Sequence, residues 1–179
     1  MRRRIVLAGL LALWQAPGAP AYHLDSSNTR ISFEIERLGL RWFSVDFHDL
    51  TGDFALGPDG QGASLTVVVR TDSIDARSQY WNDRLRSAQW LDTARFPEMT
   101  FRSTGFSFDD AAHATLQGEL TLHGVTRQLA LSISDIDCPP ASPQGCHFVG
   151  RAFLRRSEFG IPHGFWQGGD RVQITVRGE

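Results

Sequence analysis

Histidine, cysteine, serine and carboxylate side chains are all present in this 179-residue chain, so their spacing decides whether they do chemistry. The six histidines, His23, His48, His113, His123, His147 and His163, are dispersed, with no pair at ligand spacing. There is no His-Glu-x-x-His, no Gly-x-Ser-x-Gly elbow and no Gly-rich phosphate loop. His123 falls in a hairpin turn, where a structural hydrogen bond is the natural role, and Asp109-Asp110 reads as a solvated turn. The pattern implies neither an enzyme nor a cofactor. All 18 basic residues are Arg, balanced by 20 acids to a formal charge of −2, which offers a polynucleotide no attraction.

The first 21 residues read as an address rather than as structure. Arg2, Arg3 and Arg4 precede an apolar run over 5–14, and Ala19-Pro20-Ala21 closes the segment with a small-x-small cleavage pattern. The run is too short to span a bilayer, which needs about 20 apolar residues. Export to the periplasm with cleavage before Tyr22 is the expectation. Residues 22–179 then carry 15 Arg against 20 acids, a formal −5 that repels anionic headgroups. In an oxidising compartment Cys138 and Cys146, set among Pro139, Pro140, Pro143 and Gly145, read as a disulfide across a turn-rich loop. Such a short loop would gain roughly 2.5 kcal/mol from closure. A zinc site would need two more close ligands, and only His147 is near.

Period-two alternation dominates residues 22–179. Ile31, Phe33 and Ile35 alternate with polar neighbours, as do Leu116, Gly118, Leu120 and Leu122, then Leu129, Leu131 and Ile133, then Val172, Ile174 and Val176. Residues 65–69 and 99–108 are further strand candidates. Turn signals at Gly57-Pro58-Asp59-Gly60, Asp109-Asp110 and His123-Gly124 separate the runs, and the last predicts a hairpin. Residues 78–91 break the rhythm, with Trp81, Leu85 and Trp90 at roughly helical intervals, and predict one or two short inserted helices. Many one-sided strands in a chain of this length imply an antiparallel sandwich or closed barrel.

Four segments in order resemble the YceI-like family across nearly all of 22–179. They are the opening Tyr22-His23-Leu24-Asp25 through Phe33, the stretch Leu85-Arg86-Ser87…Trp90-Leu91-Asp92…Arg95-Phe96-Pro97-Glu98-Met99-Thr100-Phe101, Gly118 through Arg127 (GELTLHGVTR), and Arg156-Ser157-Glu158-Phe159-Gly160-Ile161. The resemblance implies an all-β, eight-stranded antiparallel lipocalin-like barrel in the periplasm. Its interior would take up a long apolar chain, a prenyl pyrophosphate or a quinone tail, and a cytochrome b561-type membrane protein is an implied partner. This chain has Arg37 and Arg84 where the family often has His.

An eight-stranded barrel is just wide enough to be filled by side chains or to hold one small ligand. Phe33, Ile35, Trp42, Phe54, Trp81, Leu85, Trp90, Phe101, Leu120, Leu131 and Phe153 are the candidates to line it, and a filled core is the other reading. Gly118 on the inward phase signals either room or close backbone packing. Each buried methylene contributes ~0.8 kcal/mol, so a ten-carbon tail gains about 8 kcal/mol before ordering costs. A pyrophosphate calls for bidentate Arg, and Arg37, Arg84 and Arg86 are the candidates at the mouth, with Arg155-Arg156 weaker. A quinone needs only a donor or two, from Tyr80, Asn82 or a Trp indole. The alternative is a filled barrel that docks a cytochrome b561-type or stress-response envelope partner.

Overall fold

Alternation becomes sheet along most of the chain. The computed structural model describes residues 21–37, 40–56, 63–110, 112–137, 147–163 and 169–178. Of the expected leader (residues 1–21) all but Ala21 lies outside them, as does the Cys138/Cys146 pair.

The strands in chain order are β1 (Ala21–Asp25), β2 (Thr29–Arg37), β3 (Leu40–Phe47), β4 (Leu50–Leu56), β5 (Ala63–Arg70) and β6 (Ile74–Asp75), followed by helix α1 (Gln79–Arg86). Then come β7 (Glu98–Phe108), β8 (Ala114–Leu122), β9 (Val125–Asp137), β10 (His147–Arg155) and β11 (Arg171–Gly178). Short 3-10 turns occupy Thr71–Ser73 and Arg156–Phe159. These strands join one antiparallel sheet in the order β1-β4-β5-β7-β8-β9-β10-β11-β2-β3-β6.

Among the described residues eleven strands stand where the sequence reading expects eight, and the excess has a local cause. β1 runs into β2 through residues 26–28, and β3 into β4 through residues 48 and 49, so each pair is one long strand with a kink. At the first kink Asp25 Oδ1 accepts from Ser27 N–H at 2.8 Å, and Asn28 Nδ2 donates to His23 O at 3.0 Å. Side chains that bond nearby backbone in this way compete with the ladder and break it. At the second, Arg70 N–H donates to Asp49 O at 2.9 Å and Leu50 N–H to Ser26 Oγ at 3.3 Å. Counting each kinked pair once leaves eight long strands and the two-residue β6. Because β3 and β4 belong to opposite ends of the sheet order, their covalent link curls the sheet on itself. The all-β, lipocalin-like expectation therefore stands.

The β8–β9 hairpin turns through His123 and Gly124 with φ of 52° and 74°, the positive pair of a type I′ turn. A Cβ on Gly124 would come within 2.6 Å of the Phe96 ring, so space and backbone both demand glycine. His123 Nδ1–H donates to Phe159 O at 3.1 Å, and its ring lies 4.5 Å from that of Phe96. That is the structural role its turn position suggests.

Between β5 and β7 the chain leaves the wall and forms a cap. Ile74 pairs with Phe47, and α1 follows with Leu85 as its one fully buried residue. Asn82 ties the helix to β6: its Oδ1 accepts from Ala76 N–H at 2.7 Å and its Nδ2 donates to Asp75 Oδ1 at 3.1 Å. Asp75 also accepts from Arg77 N–H, the leading reason its carboxyl is held below the usual range. The single inserted helix thus sits within residues 78–91, where the sequence predicts one or two.

Candidate functional site: an apolar void beneath the cap

Inside the sheet, under the cap, lies a void of about 40 Å³. Its wall is built from Phe33 and Ile35 of β2, Val45 and Phe47 of β3, Ile74 of β6, and Val172 of β11. Leu122 and Leu154 close the sides, Leu85, Trp90 and Leu91 form the roof, and Ile161 and Arg156 complete the enclosure. Strand register explains the gathering. Ile35 faces Val172 across β2–β11, and Val172 faces Leu154 across β10–β11. One water needs about 10–15 Å³ of free space, so the void takes a few water-sized groups at most. Around it Phe101, Leu116, Leu120 and Leu131 are buried in the remaining wall.

Arg156 is the one charged member of that wall among the described residues. It is only 4 % exposed. Its Nε and Nη2 both donate to Gly169 O, at 3.1 and 2.7 Å, and its guanidinium lies 5.0 Å from the Trp90 ring. Burial lowers its pKa and the neighbouring Asp170 charge partly restores it; arginine nevertheless stays protonated. Asp170 in turn latches the Arg156–Phe159 turn, accepting Ser157 N–H at 2.8 Å and Ser157 Oγ–H at 2.9 Å. Burial alone would raise the Asp170 pKa, but those two bonds, with His163 and Arg155 nearby, hold it below the usual carboxylate range.

Four of the candidates from the sequence, Phe33, Ile35, Leu85 and Trp90, meet at this void. Phe101, Leu120 and Leu131 are buried but lie in the wall away from it. Phe54 is half-buried on β4, and Trp81 is half-buried 5.2 Å from the Phe43 ring; neither reaches the void. The side chains of Arg37 and Trp42 lie outside the described set.

One expectation is corrected, and two further candidates are placed away from the void. Phe153 does not line the interior: it is 46 % exposed on the outer face, with the Arg171 guanidinium 3.9 Å over its ring. Its neighbours Ala152 and Leu154 take the inward phase, so strand phase outweighs aromatic size here. Arg86 donates to Asp72 O at 2.9 Å and Ile74 O at 3.1 Å, so it satisfies carbonyls left by the irregular link to the cap. Arg84 borders an open depression on the outer side of α1 with Tyr80 and Asp83, away from the void. Among the described residues, the arginine that borders the void is Arg156, the weaker candidate by sequence. Alternation carries the signal: Ala152, Leu154 and Arg156 are successive inward positions. Gly118 is settled as close packing, because a Cβ there would come within 2.3 Å of Phe101 Cζ and 2.6 Å of Arg102 O.

A curled antiparallel sheet around an apolar interior, with a short helix over one end, defines a lipocalin-like barrel. The YceI-like domain model matches residues 22–179, and the chain belongs to that family. A UPF0312 protein of Vibrio vulnificus (strain YJ016) is 28 % identical over 170 residues, 90 % of each chain. One from Enterobacter sp. (strain 638) is 32 % identical over 130 residues, 71 % of this chain and 67 % of that one. Among solved structures, Burkholderia cenocepacia BcnA superposes with a TM-score of 0.75 at 20 % identity, covering 86 % of this chain and 96 % of BcnA. A polyisoprenoid binding domain from Saccharophagus degradans, implicated in plant cell wall breakdown, gives 0.61 at 11 % identity over 89 % and 96 %. At those identities the structures speak for the fold alone.

Proposed function

We propose that this chain is a non-catalytic binder or carrier of a long-chain isoprenoid lipid, a prenyl pyrophosphate or a quinone, working in the periplasm after loss of residues 1–21. The observation that carries the reading is the interior void, walled by apolar side chains with a single buried cation on its rim. The fold shared with a domain described as polyisoprenoid binding adds support. The driving force is removal of hydrocarbon from water, ~0.8 kcal/mol per methylene, and it needs no catalytic group. Because the void is about 40 Å³, loading a tail requires lining side chains to move aside. Part of the hydrophobic gain is therefore spent on repacking.

The small size of the void favours a second reading, a filled barrel that docks a cytochrome b561-type or stress-response envelope partner. One experiment separates the two. Protein purified from its own host is extracted with organic solvent, and the extract is analysed by mass spectrometry. A long-chain species in near-equal ratio to protein is expected. An empty extract, together with no uptake of added prenyl pyrophosphate or quinone by the delipidated protein, would leave only the docking role.

A further inference from the structure

The surface the void exposes is apolar throughout, and the polar capacity beside it lies just behind the roof, within reach of a ligand once lining side chains move aside. Trp90 is 3 % exposed, and its indole Nε1–H is buried with no hydrogen-bond partner among the described residues. A buried donor left without a partner is costly, which makes such groups rare and each in need of an explanation. Here the orphan donor belongs to a ring that borders the void. The same ring lies 5.0 Å beneath the Arg156 guanidinium, whose plane is fixed by its two bonds to Gly169 O. Phe33, Ile35, Val45, Phe47 and Val172 offer nothing polar on the other sides.

We propose that Trp90 and Arg156 form the polar terminus of the lipid site, where the indole N–H and the guanidinium hold a hydrogen-bond-accepting oxygen of the ligand, phosphoryl or carbonyl, beneath the α1 cap. The inference rests on the lipid-binding reading above and adds the chemistry and orientation of the ligand. Its apolar body lies along β2 and β3, and its polar end lies at the roof. A phosphoryl oxygen suits the planar, permanently charged guanidinium. A quinone carbonyl needs only the indole donor. Either would satisfy Nε1, which a headless hydrocarbon would leave unpaired.

Trp90→Phe removes the N–H while keeping a ring beneath Arg156. The delipidated full chain is titrated with geranylgeranyl pyrophosphate, a decyl-substituted ubiquinone and squalene, the last having a tail and no head. The variant is expected to bind a headed ligand roughly five- to tenfold more weakly, the effect of one lost hydrogen bond, and squalene unchanged. Weakening confined to the pyrophosphate assigns a phosphoryl oxygen; weakening confined to the quinone assigns a carbonyl. In ¹⁵N-labelled wild type, the indole resonance missing from the variant should move on adding that headed ligand and stay fixed with squalene. Equal weakening of all three, or of none, overturns the proposal and leaves Trp90 as packing or as host to a trapped water. Wild-type protein that binds none of the three overturns the lipid reading itself, a separate result.

Discussion

The two walls of the barrel treat the same alternation differently. Val67 and Val69 of β5, Met99 and Phe101 of β7, Leu116 and Leu120 of β8, and Leu131 of β9 are all buried, and none touches the void. There the hollow at Gly118 is plugged by the Phe101 ring, and the strand opposite slips register between Ser103 and Gly105. On the other side β2, β3, β10 and β11 present Phe33, Val45, Leu154 and Val172, buried just as deeply, yet they enclose free space beneath α1. Depth of burial does not distinguish a wall that is packed shut from one that is not. The difference is set by what lies over each inner face. A ring lies on a glycine in one wall, and a helix cap anchored by Leu85 and Trp90 covers the other.

Breaking the packed wall should have the largest consequence. Phe101→Ala empties the hollow at Gly118 and is expected to cost about 3–5 kcal/mol, as large aromatic truncations in cores do. Gly118→Ala, which forces a Cβ against both Phe101 and Arg102 O, should cost about 2–3 kcal/mol by overpacking. In a Phe101→Leu background that second cost should shrink without vanishing, since the backbone carbonyl remains in the way. Urea unfolding of these variants beside wild type tests the account. A Gly118→Ala penalty independent of residue 101 would mean the ring is not what fills this wall.

The packed wall is the more legible of the two from residues alone. Leu116 to Leu122 alternate without a break, and His123-Gly124 is a turn that permits only one hairpin register. The void is half legible. Strand phase and helical spacing identify Phe33, Ile35, Leu85 and Trp90, but Arg156 follows another Arg after a strand and reads as solvated charge by type. Following phase rather than residue type through Ala152, Leu154 and Arg156 places it inside and Phe153 outside. Two features are beyond pattern reading. The kinks at 26–28 and 48–49 depend on side chains of Asp25, Ser26 and Asn28 finding backbone partners across the seam. The depth to which the cap settles, and so the size of the void, is a sum over many contacts with no local signature.

The rim of the void is held by a latch that responds to pH. Asp170 has a folded pKa below its unfolded value, so its carboxylate adds stability above the unfolded pKa, and that contribution is lost as pH falls through the folded pKa. Asp170→Asn should therefore lower stability by about 1 kcal/mol at neutral pH, where the lost bonds are to a charged acceptor. The gap between wild type and variant should hold down to about pH 4, the ordinary carboxylate pKa, and close below it. Thermal unfolding from pH 7 to pH 3 reads this directly. A gap that widens on acidification would reverse the sign and with it the assignment of Asp170 as the latch. Because Asp170 fixes the turn that carries Arg156, the void side should be the more acid-sensitive of the two walls.

The smallest effect on stability is the sharpest test of the comparison. Val69 and Val172 are each 3 % exposed, so any argument from burial treats them alike. Val172 borders the void and Val69 does not. An added methylene at Val69 meets its neighbours rather than the void, and Val69→Ile should cost about 1 kcal/mol through displaced neighbours. Val172→Ile can turn its added carbon toward free space, and its stability should change by less than about 0.5 kcal/mol, in either direction. The two substitutions should then separate again on lipid uptake. Val172→Ile occupies volume that a ligand would use and weakens binding, whereas Val69→Ile leaves affinity near wild type despite its lower stability. Equal stability costs at the two sites would show that the wall beside β11 is as tightly packed as the wall beside β5. The void would then be too shallow to admit even one carbon, and the filled barrel would become the better description of the molecule.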